Sequence, residues 1–125
     1  NSGNSRIISL SDGTNQNIVL LGYIATDNRM RIFVKSGNST SANSTSTTVV
    51  ATDFNKIAVK YKENDFALWV NGTETFTDSS GSAPIGLNKL QFREGSINNF
   101  FGKAKAVAVF KEALTDAQLQ SLTTI

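Results

Sequence analysis

Apolar and polar residues alternate in short runs along most of this chain, and clusters of Gly, Asn, Asp and Ser separate the runs. That is the pattern of strands joined by tight turns. Arg6–Leu10 is the first run and ends at Asp12-Gly13, a pair that turns readily because Gly accepts positive φ and Asp hydrogen-bonds locally. Ile18–Ile24 and Met30–Lys35 follow, separated by Asp27-Asn28. In Lys56–Tyr61, Ile57, Val59 and Tyr61 share one face. In Phe66–Val70, Phe66, Leu68 and Val70 share one face, and Trp69 lies on the other with Ala67. Asn71-Gly72 is the strongest hairpin signal, a type I′ turn leading to the return strand Thr73–Thr77. Val49–Ala51 and Leu87–Phe92 read as further strands. Phe100–Phe110 reads as a long final strand with a bend at Gly102.

Two stretches break the alternation. Residues 36–48 are almost entirely Ser, Thr, Asn and Gly. With no apolar area to bury they are expected to form an exposed loop, either a plain connector or a binding loop. At the C-terminus the period lengthens, and Leu114–Leu122 predicts a short helix. Thr115 is its N-cap, Gln118 completes a capping box, and Leu114 and Leu119 occupy the staple positions. Leu119 and Leu122 are expected to face the strands, and Asp116 suits the first turn of the helix dipole. The whole predicts an all-β, antiparallel two-sheet sandwich closed by one helix.

Length and composition narrow the chemistry. The chain has 125 residues, enough for one domain that buries roughly two-thirds of its unfolded surface. It contains no His and no Cys. A Ser-His-Asp triad is therefore impossible, and the commonest general base and zinc ligand are missing. Twelve cations stand against ten anions, loosely grouped at Lys56, Lys60 and Lys62 and at Lys103, Lys105 and Lys111. This lacks the dense basic stripe of a nucleic-acid binder. No apolar run is long enough to span a membrane as a helix.

The order of Asp53–Lys62, Asp65–Gly72, Phe101-Gly102-Lys103, Val109–Lys111 and Ala113–Leu119 resembles the concanavalin A-like lectin/glucanase superfamily in its laminin-G-like branch. It is similar to domains found in tail and other virion proteins of bacteriophages. The resemblance implies a jelly-roll sandwich and a position on a virion surface or an extracellular protein. It also implies an additional strand before Arg6. The domain, residues 1–125, is thus expected to be the C-terminal part of a longer chain, or else to leave a strand edge open. An open edge would allow association of copies.

Function is expected to be binding. Sugar rings stack on aromatic faces, so Trp69, the single Trp, is a candidate platform; the alternative is a ring packed under the helix or a loop. Asn15, Asn71, Asn98 and Asn99 in turns would add hydrogen bonds. Asp12 and Asp78 are candidate calcium ligands on the strength of the resemblance, although ordinary turn chemistry also accounts for them. No cofactor is required, and calcium is the one metal the resemblance allows. Glycosidases of this superfamily alternate acids along one strand, whereas here Glu63 and Asp65 fall in a turn, Glu74 and Glu94 stand alone, and Asp116 begins the helix. The chain is therefore expected to lack catalysis. A surface glycan is the expected partner. The alternative is a structural virion domain that contacts other virion chains.

Overall fold

A computed structural model describes residues 5–25 and 27–125. Among the described residues, eight strands and one helix follow in chain order: β1 (Arg6–Ser11), β2 (Ile18–Tyr23), β3 (Arg29–Ser36), β4 (Ser39–Thr48), β5 (Ile57–Lys62), β6 (Asp65–Val70), β7 (Thr73–Asp78), β8 (Lys89–Gln91) and α1 (Asp116–Thr123). They form two antiparallel sheets, β4-β3-β2-β1-β8 and β5-β6-β7. The all-β sandwich with a C-terminal helix is thus as the alternation predicts.

The core lies between the sheets. Val19, Met30, Ile32, Val34 and Ala42 from one sheet meet Phe66, Leu68 and Val70 from the other. Ile57, Val59 and Tyr61 pack against this cluster from one face of β5, as their spacing requires. A smaller cluster, Ile7, Ile18 and Leu20 with Phe33, sits on the outer face of the larger sheet. The loop after β8 crosses β1 there: the Ser9 hydroxyl donates to the Arg93 carbonyl at 2.6 Å.

Four expectations about strands require correction. Residues 36–48 are not a loop, because β4 occupies most of them. Gly37 and Asn38, at φ 55° and 71°, make a two-residue turn that brings Ser39 opposite Ser36. An edge strand draws its order from backbone pairing and needs few inward side chains, here Ala42 and Ser46. Thr, Ser and Asn43 fill the rest, so the apolar signal is missing. The second correction is Phe100–Phe110. It forms no strand, and residues 101–113 are all exposed. Val49–Ala51 likewise leads into a turn, and the strand within Leu87–Phe92 shrinks to three residues.

The helix begins as predicted. The Gln118 amide donates to Thr115 Oγ1 at 3.3 Å, and the Thr115 amide donates to Gln118 Oε1 at 2.9 Å. Its buried stripe is Leu119 and Thr123, not Leu119 and Leu122; Leu122 remains 49% exposed. Positions three and four apart both neighbour Leu119 on a helix, and the inward place falls to Thr123, whose hydroxyl donates to the Leu119 carbonyl at 2.7 Å. Thr123 Oγ1 also accepts a hydrogen bond from the Gly72 amide at 3.2 Å, which ties the helix end to the β6–β7 turn.

Lys60 pins the other end of the helix. Its ammonium lies 2.7 Å from Asp65 Oδ1 and 2.9 Å from Asp116 Oδ1. Burial works against its charge, but the hydrogen bonds it donates to the two carboxylates, Asp65 and Asp116, outweigh that and raise its pKa above the ordinary 10.5. A raised pKa stabilises the fold at every pH below the unfolded value and loses that contribution as pH rises through the folded value. Lys60→Met should therefore cost about 1 kcal/mol at neutral pH, since both carboxylates stay solvated once released. The cost should vanish above the Lys60 pKa. Urea titrations of both proteins at neutral and strongly alkaline pH check this.

Candidate functional site

Each β-hairpin sends its turn to one end of the sandwich or the other, so the loops form two sets. The turns at residues 12–17, 37–38 and 63–64 lie at one end. Residues 24–25 and 27–28 and the segments at 49–56 and 71–72 lie at the opposite end.

The second end holds a cleft. Asn71 and Gly72 adopt φ 51° and 82°, as the type I′ turn demands. A Cβ on Gly72 would come within 2.9 Å of Thr124 Oγ1, so a side chain here would displace Thr124 in addition to the strain at positive φ. The Asn71 amide N–H donates to the Lys56 carbonyl, and Asn71 Oδ1 accepts from the Lys56 amide, both at 2.9 Å. Asn71 Nδ2 donates to Asn55 Oδ1 at 2.9 Å. Asn55 Nδ2 in turn lies within 3.1 Å of the Tyr23 hydroxyl and the carbonyls of Val50 and Asp53. Two linked amides thus fix the loop at residues 49–56 against the β6–β7 turn.

Around them opens a cleft of about 450 Å³, lined by Val49, Val50, Asp53, Phe54, Val70 and Thr73 among others. Phe54 is 49% exposed and Val50 62% exposed. The Lys105 ammonium sits 4.0 Å from the centre of the Phe54 ring. Thr75 Oγ1 donates to the Leu68 carbonyl, so that hydroxyl is engaged from within. The Asp53 carboxylate and the Thr73 hydroxyl carry no hydrogen bond among the described residues and face solvent. The cleft therefore combines an aromatic ring and aliphatic walls with a carboxylate and a hydroxyl.

Of the residues singled out from the sequence, only Asn71 lines this cleft, and its amide holds the loop in place. Trp69 is corrected as a platform. It lies on the face opposite Phe66 and Leu68, as predicted, but is 6% exposed and packs with Ala67, Leu119, Ala58 and Leu114 beneath the helix. An indole covered in this way offers no face to a sugar. Asn15 lies at the far end of the sandwich, exposed in the turn at 12–17. Asn98 donates to Glu94 Oε2 at 2.8 Å, and its carbonyl accepts from the Ile7 amide at 3.2 Å. Asn99 is exposed beside it. The asparagines therefore do not converge. Sequence reasoning passed over Phe54 and Asn55; the available signal was an aromatic residue between Asp and Asn just before a strand.

Asp12 and Asp78 serve their own turns. Asp12 Oδ1 accepts from the Thr14 hydroxyl at 2.6 Å and the Thr14 amide at 2.8 Å, while Oδ2 accepts from Asn17 at 2.9 Å. The Thr14 hydroxyl, then the Asn17 amide, hold its carboxyl below the ordinary 3.8. Asp78 Oδ1 accepts from the Ser80 amide at 3.0 Å. Among the described residues no three acidic side chains gather where a metal ion could be held.

The sequence profile of a laminin G family, described as the concanavalin A-like lectin/glucanases superfamily, matches residues 1–120. No curated protein matches the chain. Among solved structures, it is similar to the crystal structure of an S-layer domain-containing protein (residues 221–444) from Clostridium thermocellum, at 14% identity and a TM-score of 0.49. That likeness covers 98% of this chain but 64% of the other, so this chain spans under two-thirds of its length.

Proposed function

We propose, from the premise that this chain belongs to the concanavalin A-like lectin/glucanase superfamily, that it is a non-catalytic module binding carbohydrate in the cleft beside Phe54. The module would be displayed on an extracellular or virion surface. One observation carries the reading: a half-exposed aromatic ring shares an open cleft with a solvent-facing carboxylate and hydroxyl. A pyranose presents an apolar CH face and an equatorial rim of hydroxyls. The Phe54 ring suits the first; Asp53 and Thr73 suit the second. Asn55 and Asn71 keep the wall rigid, which lowers the ordering cost of binding. No step of this recognition uses Asp12 or Asp78, so chelation of calcium should leave it unchanged.

A glycan array probed with the whole chain tests the proposal. Phe54→Ala and Asp53→Asn alter exposed side chains and should leave the fold intact. Each should weaken retained glycan signals about tenfold, the equivalent of ~1.4 kcal/mol. Single sites of this kind are weak, so the array should display the chain multivalently. Glycan signals that persist unchanged in Phe54→Ala would remove the cleft as the site. A blank array would leave the second reading, a structural domain that contacts other chains. That reading is favoured by the exposed apolar run at residues 106–110.

A further inference from the structure

The side chains that line the cleft beside Phe54 carry charge of one sign. Asp53 alone among them is ionisable, and its carboxylate has no ion-pair partner among the described residues. The two lysines beside the cleft are engaged elsewhere. Lys56 Nζ donates to the Thr124 carbonyl at 2.7 Å, and the Lys105 ammonium rests on the Phe54 ring. The face of an aromatic ring is itself the negative part of its quadrupole. Ring and carboxylate, consecutive in sequence, thus favour the same kind of guest.

Lys105 shows what that guest is. Its ammonium lies 4.0 Å from the centre of the Phe54 ring, well inside the range in which a ring attracts a cation. Lys105 is an exposed side chain with no carboxylate partner among the described residues, so nothing but the ring holds its head. The ring and the carboxylate, in contrast, stand on a fixed segment. The Asp53 amide donates to the Val50 carbonyl, and Asn55 Nδ2 donates to the Asp53 carbonyl, both at 3.1 Å. A rigid pair of cation acceptors therefore meets a cation that is merely tethered, and a second ammonium can replace it.

We propose that the cleft selects amino sugars, hexosamines whose amino group is free and protonated, and that Lys105 is the built-in competitor they displace. The inference rests on the reading of the cleft as a sugar site and names the class of sugar. The ligand ammonium takes the place of the Lys105 head on the Phe54 ring and beside the Asp53 carboxylate. The remaining hydroxyls face Thr73. A sugar with a hydroxyl or an N-acetyl group at the same carbon has no charge with which to displace Lys105. A uronic acid sets its carboxylate against that of Asp53. Selectivity thus comes from charge at one ring position, with the wall formed by Asn55 and Asn71 unchanged.

The test titrates the whole chain with three oligosaccharides of equal length, built from glucosamine, N-acetylglucosamine and glucose, at mildly acidic pH where the free amine is charged. The glucosamine oligomer should bind about tenfold more tightly than its N-acetylated form, the combined effect of one ring contact and one exposed ion pair. Asp53→Asn should weaken the amino form more than the neutral forms and so shrink that ratio. Lys105→Gln changes an exposed side chain, should melt like the wild type, and should tighten the amino form about two- to fivefold by removing its competitor. Equal binding of all three oligomers, lost in Phe54→Ala, overturns the selection and leaves the cleft as a sugar site. Absence of binding to any sugar, here and on the array, overturns both. Weaker binding of the amino form in Lys105→Gln also overturns the selection. So does displacement of the amino sugar by oligolysine at equal concentration, because charge alone would then be recognised.

Discussion

Gly22→Ala is expected to destabilise the protein by about 3–5 kcal/mol, the range reserved for steric conflicts that the fold cannot absorb. Gly22 lies in β2 opposite Ile7 of β1 and Arg31 of β3. A Cβ there would overlap the Arg6 carbonyl oxygen and approach Arg6 C and Ile7 Cα to 2.9 Å. All three are backbone atoms, held by a six-residue ladder between β1 and β2. Relief requires β1 to move away. Ile7, at 1% exposure, would then leave its cluster with Ile18 and Leu20. For a domain of this size the melting temperature should fall by about 10 °C or more. A thermal or urea melt checks it, and a midpoint within a degree or two of the wild type would show that the strands part easily here. Glycine at this position reflects close approach of two strands, since no positive φ is involved.

Trp69 is expected to act on stability and leave binding alone. Trp69→Ala empties the layer between β6 and the helix, where Ala67, Ala58, Leu114 and Leu119 surround the indole. The loss should be about 3–5 kcal/mol, with the helix released first. Trp69→Phe should cost far less, about 1 kcal/mol. It gives up some volume, but it also removes an indole N–H that is buried without a hydrogen-bond partner among the described residues, a group whose desolvation is unfavourable in the native state. Because this is the single Trp, its fluorescence reports the same layer. Emission should be blue-shifted in the native state and move to the red on unfolding. A Trp69→Ala protein that melts like the wild type but no longer retains glycan would reverse this assignment and restore the indole as the platform.

These two residues show where pattern reading works and where it stops. The period-two spacing of Phe66, Leu68 and Val70 assigned Trp69 to the opposite face of its strand, and it is there. The same spacing could not say whether that face is open or covered. A helix some fifty residues later covers it, and long-range docking leaves no mark on the strand itself. Gly22 was legible only as one more strand residue, because the conflict its hydrogen avoids comes from a neighbouring strand.

β4 and the run 103–110 fail in opposite directions for one reason. The polar run 39–48 forms a strand because β3 lies beside it and offers a ladder, while the apolar run 106–110 has every local property of a strand and lacks a neighbour. Strand order is a property of pairs, and the partner is set by topology. The cleft follows the same rule: Phe54, Asn55 and Asn71 are separated in sequence and meet because the β6–β7 turn and the loop before β5 reach the same end of the sandwich.

What the sequence determined by itself was local. It set the alternation that makes two apolar layers, the Asn-Gly and Asp-Gly turns, and the capped terminal helix, all fixed by neighbours within about four residues. What the tertiary structure decided was which faces are covered, which edges are paired and which polar groups meet. Those outcomes depend on contacts between distant segments, whose energies no single stretch of chain contains.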